Sequence, residues 1–408
     1  MRKPHFYGYN IVGAGFLIQA AGGGALATYG IFFTHLQAEF HWSRAAISGA
    51  TSITILLMGT AAILFGRLND RIGPRLIMYA SGVVLGTGYV LMFQLQHLWQ
   101  LYAAIGVVVG IGMSTQDVVI LSTIARWFER RRGMMSGIVK AGTGLGQLAF
   151  PLVIAVLIAA YGWRQTYLFM GLAVLVTAVG MAHFFRRDPS SVGQTSLGSK
   201  MEIAASDIDM EEGVTLSVGV RTRQFWFLCL AEFTLAFCIM TTLVHLVPHA
   251  QDGGISVGRA GILVSVIGAS SIVARLGMGS ASDSMGSRRA FSVCFGVLLI
   301  GLLWLQVASS MWMLILYAVA DGFARGGNFA VISPLIAELF GTRAHGALFG
   351  LATFIGTIGG ALGPVLTGRI FDVTGSYEMA FALLAGLIAI GFVLTLLIRP
   401  LLRQQARA

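Results

Sequence analysis

The sequence predicts an all-α membrane protein with twelve transmembrane helices in two parallel six-helix repeats. Three observations support this fold class: 56% of the 408 residues are hydrophobic and only 11% are charged, long apolar runs recur along the chain, and landmark residues repeat at one constant offset. Soluble domains carry about a quarter charged residues. The composition therefore excludes an ordinary water-soluble fold.

Twelve apolar runs are long enough to cross a hydrocarbon core of about 30 Å as helices, which takes about 20 residues. The runs are continuously apolar, whereas barrel strands alternate over about ten residues, so helices are predicted. The predicted spans are 9–36, 45–66, 74–95, 98–126, 133–160, 163–185, 223–248, 257–281, 288–308, 311–339, 345–371 and 376–400.

The positions of the basic residues indicate an orientation in the membrane. The formal net charge is +10, and most Lys and Arg lie on the cytoplasmic side when both termini are placed in the cytoplasm. This distribution follows the positive-inside rule. We expect a multi-pass protein of the cell membrane (plasma or inner membrane) with both termini cytoplasmic, surrounded by the lipid bilayer and without a nucleic-acid partner.

Landmark residues recur at a constant offset of 213 positions over about a hundred residues. The pairs are Gly66 and Gly279, Asp70 and Asp283, Gly73 and Gly286, Arg75 and Arg288, Gly133 and Gly346, Gly146 and Gly359, Pro151 and Pro364, and Gly162 and Gly375. The offset indicates duplication of a six-helix unit. Parallel repeats of this type are expected to hold a substrate site at their interface near mid-membrane, exposed alternately to the two sides.

One polar segment, Arg186 to Arg221, separates the repeats. It contains the acidic cluster Asp207, Asp209, Glu211 and Glu212. We predict an N-terminal six-helix bundle at 1–185, a cytoplasmic linker at 186–221 and a C-terminal six-helix bundle at 222–408.

The loop after the second predicted span reads GRLNDRIGPR, from Gly66 to Arg75, and its repeat reads GSASDSMGSRR, from Gly279 to Arg289. The Gly, Asp, Gly and Arg spacing resembles the hallmark loop of the major facilitator superfamily, and the resemblance covers the whole chain. We predict that Asp70, Arg71 and Asp283 act in gating, through charge contacts that break during transport. The alternative is a static topology anchor.

Six ionisable residues fall well inside the predicted spans: Asp117, Lys140, Glu232, Arg275, Asp321 and Arg325. Each is costly if it faces lipid unpaired, so these residues are candidate functional positions. The three cysteines, Cys229, Cys238 and Cys294, show no metal-ligand spacing, so neither a metal nor another cofactor is predicted. The sequence shows no recognisable spacing of a nucleophile, base and orienting group, so an enzyme is not predicted.

Arg275 is the leading candidate for binding an anionic substrate. A guanidinium stays charged at any physiological pH, and its planar fork matches a carboxylate. Ser271, one turn earlier, gives this face a small polar character. The alternative is an internal ion pair with Glu232 or Asp321.

A polar stripe crosses the tenth predicted span, where Asp321, Arg325 and Asn328 share one helical face at i, i+4 and i+7. The first two are favoured as a mutually neutralising pair, which leaves Asn328 as the substrate contact. Gln116 and Tyr29 are further substrate-binding candidates. Glu232, Asp321 and Asp117 are candidates for proton coupling. Lys140 either supplies a second cation for a dicarboxylate or, preferably, pairs with a cytoplasmic-side acid.

Four stretches resemble the monocarboxylate transporter family and its bacterial relatives, which include oxalate and formate exchangers. They are RWFERRRG (Arg126–Gly133), KAGTGLG (Lys140–Gly146), AELFG (Ala337–Gly341) and GALGPVLTGRIFDVTGSY (Gly360–Tyr377). The resemblance implies a carboxylate-binding arginine at Arg275, followed by Gly279 four residues later. It also places Gln116 and Asn328 near the substrate.

The chain departs from the animal members of that family at two positions. Ser271 stands where they carry an acidic residue implicated in proton coupling, and Ala27 stands about where they carry a lysine. Proton symport and carboxylate exchange therefore both stay open. The sequence predicts an alternating-access secondary transporter of a small monocarboxylate, with an exchanger of the oxalate/formate type or an efflux pump for amphipathic compounds as alternatives.

Overall fold

A computed structural model describes residues 6–198 and 213–399. Within these ranges the regular structure is helical, apart from two isolated β-bridges that join Phe128 to Leu197 and Gly213 to Gly341. The acidic cluster of the predicted linker lies outside the described residues.

The long helices are numbered α1 to α12 in chain order. The first six are α1 (Gly8–Phe40), α2 (Arg44–Ile72), α3 (Pro74–Leu91), α4 (Leu98–Trp127) and the stretch Arg132–Ala182, which comprises α5 and α6. The other six are α7 (Arg223–Asp252), α8 (Val257–Met285), α9 (Ser287–Leu305), α10 (Met311–Phe340), α11 (His345–Thr374) and α12 (Glu378–Leu397). Each predicted span coincides with one of these helices.

Gly162 divides the 51-residue stretch Arg132–Ala182 into α5 and α6. Its φ of 78° and ψ of 164° lie in a region that only glycine adopts readily, so the helix cannot continue through it. Two helices therefore occupy this stretch, as the sequence predicts.

Ten helical stretches of the described chain are long and apolar enough to cross a membrane, and Arg132–Ala182 is one of them. The 30-residue helix α10 falls outside this set because Asp321, Arg325 and Asn328 lower the hydropathy of its middle. A polar middle in a helix of spanning length is typical of a span that faces the protein interior.

The described residues form two compact units. The N-terminal unit comprises 6–130, 138–198 and 345–350, and the C-terminal unit comprises 131–137, 213–344 and 351–399. The predicted domain boundaries at 185 and 222 stay a prediction.

The backbone repeats at the offset of 213 residues. Gly73 ends α2 with φ 84°, and Gly286 ends α8 with φ 88°. Gly162 and Gly375 form the second matched pair, with φ values of 78° and 69°. The landmark glycines thus occupy equivalent turns because these conformations need a residue without a Cβ atom.

Glycines bring α1 and α5 of the N-terminal unit into close contact. A Cβ atom at Gly142 would overlap the carbonyl of Phe16, and one at Gly146 would overlap the carbonyl of Ala20. Small residues permit this approach of two helix backbones. The contact places the polar side chains of α1 against those of α5.

Candidate functional site

Arg275 lies on α8 of the C-terminal unit, and its side chain is directed towards α10. The residue is buried, with 4% of its surface exposed, and its guanidinium carbon lies 5.5 Å from the centre of the Phe329 ring. A guanidinium over an aromatic face is stabilised by the ring quadrupole. The structure therefore keeps the cation inside the protein, as the predicted anion site requires.

Glycines of α10 explain why α8 and α10 lie so close together. A Cβ atom at Gly322 would overlap the carbonyl of Ile267, and one at Gly326 would overlap the carbonyl of Ser271. The Ser270 hydroxyl also donates to the Val319 carbonyl at 2.8 Å. This close approach fixes α8 against α10 and with it the position of Arg275.

Glu232, Ser271 and Asn328 are buried polar residues of the same C-terminal unit as Arg275. The Asn328 side chain donates to Glu232 Oε2 at 3.3 Å. Glu232 Oε1, Asn328 Oδ1 and Ser271 Oγ are buried and have no hydrogen-bond partner among the described residues. Buried polar atoms without partners are costly in a folded protein, and a bound polar group would satisfy them.

Asp321 and Arg325 form the i,i+4 ion pair that their spacing predicts. Arg325 Nη2 lies 3.0 Å from Asp321 Oδ2 and also donates to the Ile239 carbonyl at 2.6 Å. Thr242 donates to the other carboxylate oxygen of Asp321 at 2.8 Å. Asp321 is fully buried. Because Ile239 and Thr242 belong to α7, these hydrogen bonds join α10 to α7.

A second polar cluster lies in the N-terminal unit, around Asp117 of α4. Lys140 Nζ lies 2.6 Å from Asp117 Oδ1, and Gln19 donates to the same oxygen at 2.7 Å. Thr143 in turn donates to Gln19 Oε1 at 2.6 Å. Lys140 thus pairs with an acid, Asp117, as preferred from the sequence, and the position of this acid on the cytoplasmic side stays a prediction.

Gln116 and Tyr29, the other predicted substrate contacts, also belong to the N-terminal unit. Gln116 is buried, its amide packs against Gly22, and its Oε1 has no hydrogen-bond partner among the described residues. Tyr29 is half-buried, and its hydroxyl donates to the Ile47 carbonyl at 2.8 Å. The hydroxyl of Tyr29 therefore joins α1 to α2.

Asp70 lies in the last turn of α2, in the N-terminal unit, and its carboxylate makes several polar contacts. Its carboxylate accepts hydrogen bonds from the backbone N–H groups of Gly346 at 3.2 Å and Ala347 at 3.0 Å. Arg126 forms its ion pair, at 3.0 Å, while the side chain of Arg71 is exposed. Arg126 was not singled out as a gating residue, although it opens the RWFERRRG stretch.

The cysteines are packing residues in the described structure: all three are buried and none forms a disulfide. The described residues also contain no group of three or more His, Cys, Asp and Glu side chains that could hold a metal ion.

Besides Arg126, sequence reasoning missed Thr143, Thr242 and Phe329. A hydroxyl or a ring inside an apolar span gives little signal by itself. Thr143 lies three residues after Lys140 on the same helix, so a search for polar neighbours of charged residues at helical spacing identifies it.

The comparison with protein families gives one match. The model of the Major Facilitator Superfamily matches residues 15–253 and 228–408. Monocarboxylate transporter 13 of Rattus norvegicus is 28% identical over 395 residues, which cover 94% of this chain and 87% of that protein. Human monocarboxylate transporter 7 is 24% identical over 453 residues, which cover 97% and 86%. These findings confirm the resemblance that the sequence motifs indicate.

Solved structures confirm the fold. A crystal structure of a variant of the E. coli fucose:proton symporter matches with a TM-score of 0.74 at 14% identity, and the match covers 97% of this chain and 100% of that one. The human organic anion transporter MFSD10 (TETRAN) matches with a TM-score of 0.73 at 17% identity and the same coverage.

Proposed function

Because the chain belongs to the Major Facilitator Superfamily, we propose that it works by alternating access and carries a small monocarboxylate across the cell membrane. The family makes the chain a multi-pass membrane transporter rather than an enzyme. The proposal adds the substrate class, the mechanism, both termini in the cytoplasm, and the residues that bind the substrate.

The observation that carries the substrate class is the buried guanidinium of Arg275. A buried arginine keeps its positive charge at physiological pH and can bind an anion inside the protein. A carboxylate matches its two parallel N–H groups and supplies one negative charge. The curated relatives named monocarboxylate transporters support the same class of substrate.

Asn328, Ser271 and Gln116 are the proposed orienting contacts. Each has a buried side-chain oxygen that lacks a hydrogen-bond partner among the described residues. Hydroxyl groups or water molecules that accompany a small acid can donate to these oxygens. Tyr29 is a weaker contact in this proposal because its hydroxyl already donates to the Ile47 carbonyl.

Gating is assigned to Asp70 and Asp283, whose carboxylates accept backbone hydrogen bonds at the starts of α11 and α5. Backbone N–H groups in the first turn of a helix carry positive partial charge. Such contacts are strong enough to hold one conformation and weak enough to open in a transport cycle. Arg126 joins this assignment, and the exposed Arg71 has the smaller part.

Uptake by proteoliposomes tests the proposal. The protein is reconstituted and the uptake of radiolabelled lactate and other small monocarboxylates is measured for the wild type and Arg275→Ala. A hydrogen bond to a charged group contributes about 1.5–3 kcal/mol, so the variant should lose roughly 10- to 100-fold in apparent affinity.

Arg369→Ala is the matched control because Arg369 is an exposed arginine of α11. Near-normal uptake by Arg275→Ala would remove the proposed anchor. Competition separates the alternative functions: inhibition by lipophilic cations instead of small acids favours an efflux pump, and strict dependence on internal oxalate or formate favours an exchanger.

A further inference from the structure

A basic cluster lies where the start of α3 meets the end of α6, within the N-terminal unit. Arg75 is the second residue of α3, and His183 directly follows α6. Arg75 Nη2 lies 3.0 Å from His183 Nδ1, and the Tyr79 hydroxyl lies 3.1 Å from the same nitrogen. Arg186 Nη1 donates to the His183 carbonyl at 2.7 Å. These four residues are called the α3–α6 cluster.

Glycines of α3 bring the two helices into close contact. A Cβ atom at Gly82 would lie 2.9 Å from the Cβ atom of Ala178, and one at Gly86 would overlap Leu175. Small residues permit such an approach of two helix backbones. The packing of α3 against α6 therefore positions the side chains of the cluster relative to one another.

The cluster has more hydrogen-bond donors than acceptors. A guanidinium only donates, so His183 Nδ1 is the acceptor and the ring proton lies on Nε2. This nitrogen has one lone pair, yet both Arg75 and Tyr79 approach it. The Nε and Nη1 groups of Arg75, and the Nε and Nη2 groups of Arg186, donate to no described residue. Such a set of donors suits a ligand with several anionic oxygens.

The positive charge of the cluster is not neutralised by a neighbouring acid. In the part of the chain that the structure describes, neither Arg75 nor Arg186 forms an ion pair with a carboxylate. Asp188, two residues after Arg186, forms an ion pair with Arg187 at 3.4 Å. Arg75 is exposed and Arg186 is half-buried, so both guanidiniums remain accessible to an anion.

An exposed apolar face continues from the cluster along both helices. Leu76 and Val83 of α3 are exposed, and their spacing of seven residues puts them on one helical face. Leu172 and Val176 of α6 are exposed as well, and they share a face with His183. In a multi-pass membrane protein, exposed aliphatic side chains of this kind contact the hydrocarbon chains of lipids.

We propose that the α3–α6 cluster binds the phosphate of an anionic phospholipid, whose hydrocarbon chains lie along the exposed apolar face of α3 and α6. Guanidiniums donate parallel hydrogen bonds to phosphate oxygens, and Arg75 and Arg186 supply the positive charge. Tyr79 and the Nε2–H group of His183 are further donors. The cluster lies at the ends of two spans, where headgroups lie and basic pockets attract anionic lipids.

The second repeat offers an internal comparison for this site. At the offset of 213 residues, Arg288 corresponds to Arg75, but Leu396 stands where the first repeat has His183. Arg288 Nη1 donates to the Ile398 carbonyl at 3.0 Å. Both repeats thus carry the arginine, whereas the imidazole beside it belongs to the first repeat. The comparison provides Arg288→Gln as the matched control variant.

Native mass spectrometry of the purified full-length protein in detergent tests the site. The protein is titrated with phosphatidylglycerol and with phosphatidylcholine of the same chains. The wild type should bind the first phosphatidylglycerol at least tenfold more tightly than phosphatidylcholine. Arg75→Gln should lower the affinity for phosphatidylglycerol about tenfold, and His183→Leu, which copies the second repeat, roughly 2- to 10-fold. Arg288→Gln should keep the wild-type preference.

Two outcomes of this titration would overturn the inference. One is a wild-type preference for phosphatidylglycerol that both Arg75→Gln and His183→Leu retain. The other is an equal loss in Arg288→Gln, because positive charge at any helix end would then be sufficient. Thermal unfolding without added lipid checks the fold of each variant. Phosphatidylglycerol should raise the midpoint temperature of the wild type and of Arg288→Gln more than that of Arg75→Gln.

Soluble phosphates determine whether the ligand is a lipid. Glycerol 3-phosphate and inorganic phosphate carry the anionic oxygens but no hydrocarbon chains. At the same concentration as the lipid, neither should displace phosphatidylglycerol from the wild type. Displacement by either one would show that the apolar face contributes nothing, and the proposed lipid site would be wrong. Because no carboxylate is added, these measurements are independent of the proposed transport function.

Discussion

Asp283 accepts a hydrogen bond from the backbone N–H of Gly133 at 2.7 Å and a second from Met134 at 2.8 Å. The carboxylate thereby caps the first turn of α5, where N–H groups lack partners within the helix. The bonds of Asp70 to Gly346 and Ala347 repeat this arrangement at the 213-residue offset. The hallmark loops therefore act as helix caps, which gives a physical reason for their Asp residues.

The ion pair between Asp70 and Arg126 leads to a prediction about the first loop. Arg126→Gln should slow carboxylate uptake about tenfold or more, because a hydrogen bond to a charged group contributes roughly 1.5–3 kcal/mol. Arg71→Gln, which changes an exposed side chain, should stay within about twofold of the wild type. Initial uptake rates in proteoliposomes check both. Equal effects of the two substitutions would contradict the assigned roles.

Close packing at Gly279 makes a prediction about stability. A Cβ atom at Gly279 would lie 2.5 Å from the Gly133 carbonyl, whereas one at Gly277 meets nothing within 4 Å. Gly279→Ala should therefore lower the free energy of unfolding by about 1–3 kcal/mol, the usual cost of overpacking. Gly277→Ala should be neutral or stabilising by about 1 kcal/mol through helix propensity.

Thermal unfolding in detergent, followed by tryptophan fluorescence, distinguishes these two substitutions. The midpoint temperature of Gly279→Ala should be lower than that of the wild type. The midpoint temperature of Gly277→Ala should equal or exceed that of the wild type. If Gly279→Ala matched the wild type, the close contact of α8 with the start of α5 would be wrong.

The buried ion pair of α10 predicts a non-additive result. Asp321→Asn or Arg325→Gln alone should destabilise the protein by about 3–5 kcal/mol, because each leaves the other charge buried. The double variant should recover part of the loss, since neither charge remains. A double-mutant cycle on the thermal midpoint measures this coupling. Additive losses would mean that the two charges act separately.

The sequence predicted the helices well because each depends on local properties. The apolar runs set the spans, and glycines such as Gly162 and Gly286 mark turns that require a positive φ. The Asp321–Arg325 pair was predictable for the same reason, because residues four positions apart share a helical face.

The partners between helices were not predictable in this way. Lys140 and Asp117 are 23 positions apart and lie on separate helices, so their contact depends on which helix faces meet. Helical spacing limits each residue to a face but does not pair the faces. For the same reason, the sequence did not predict that Arg126 of α4 forms the ion pair with Asp70. Arg71, which follows Asp70 in the sequence, was the residue predicted instead.

The central claim is that the guanidinium of Arg275 recognises a carboxylate, and binding of matched neutral and charged ligands tests it most directly. Isothermal titration calorimetry compares a small monocarboxylate with its amide, for the wild type and for Arg275→Gln. The wild type should bind the acid at least tenfold more tightly than the amide, and Arg275→Gln should lose this preference. If Arg275→Gln binds the acid as tightly and as selectively as the wild type, the claim is contradicted.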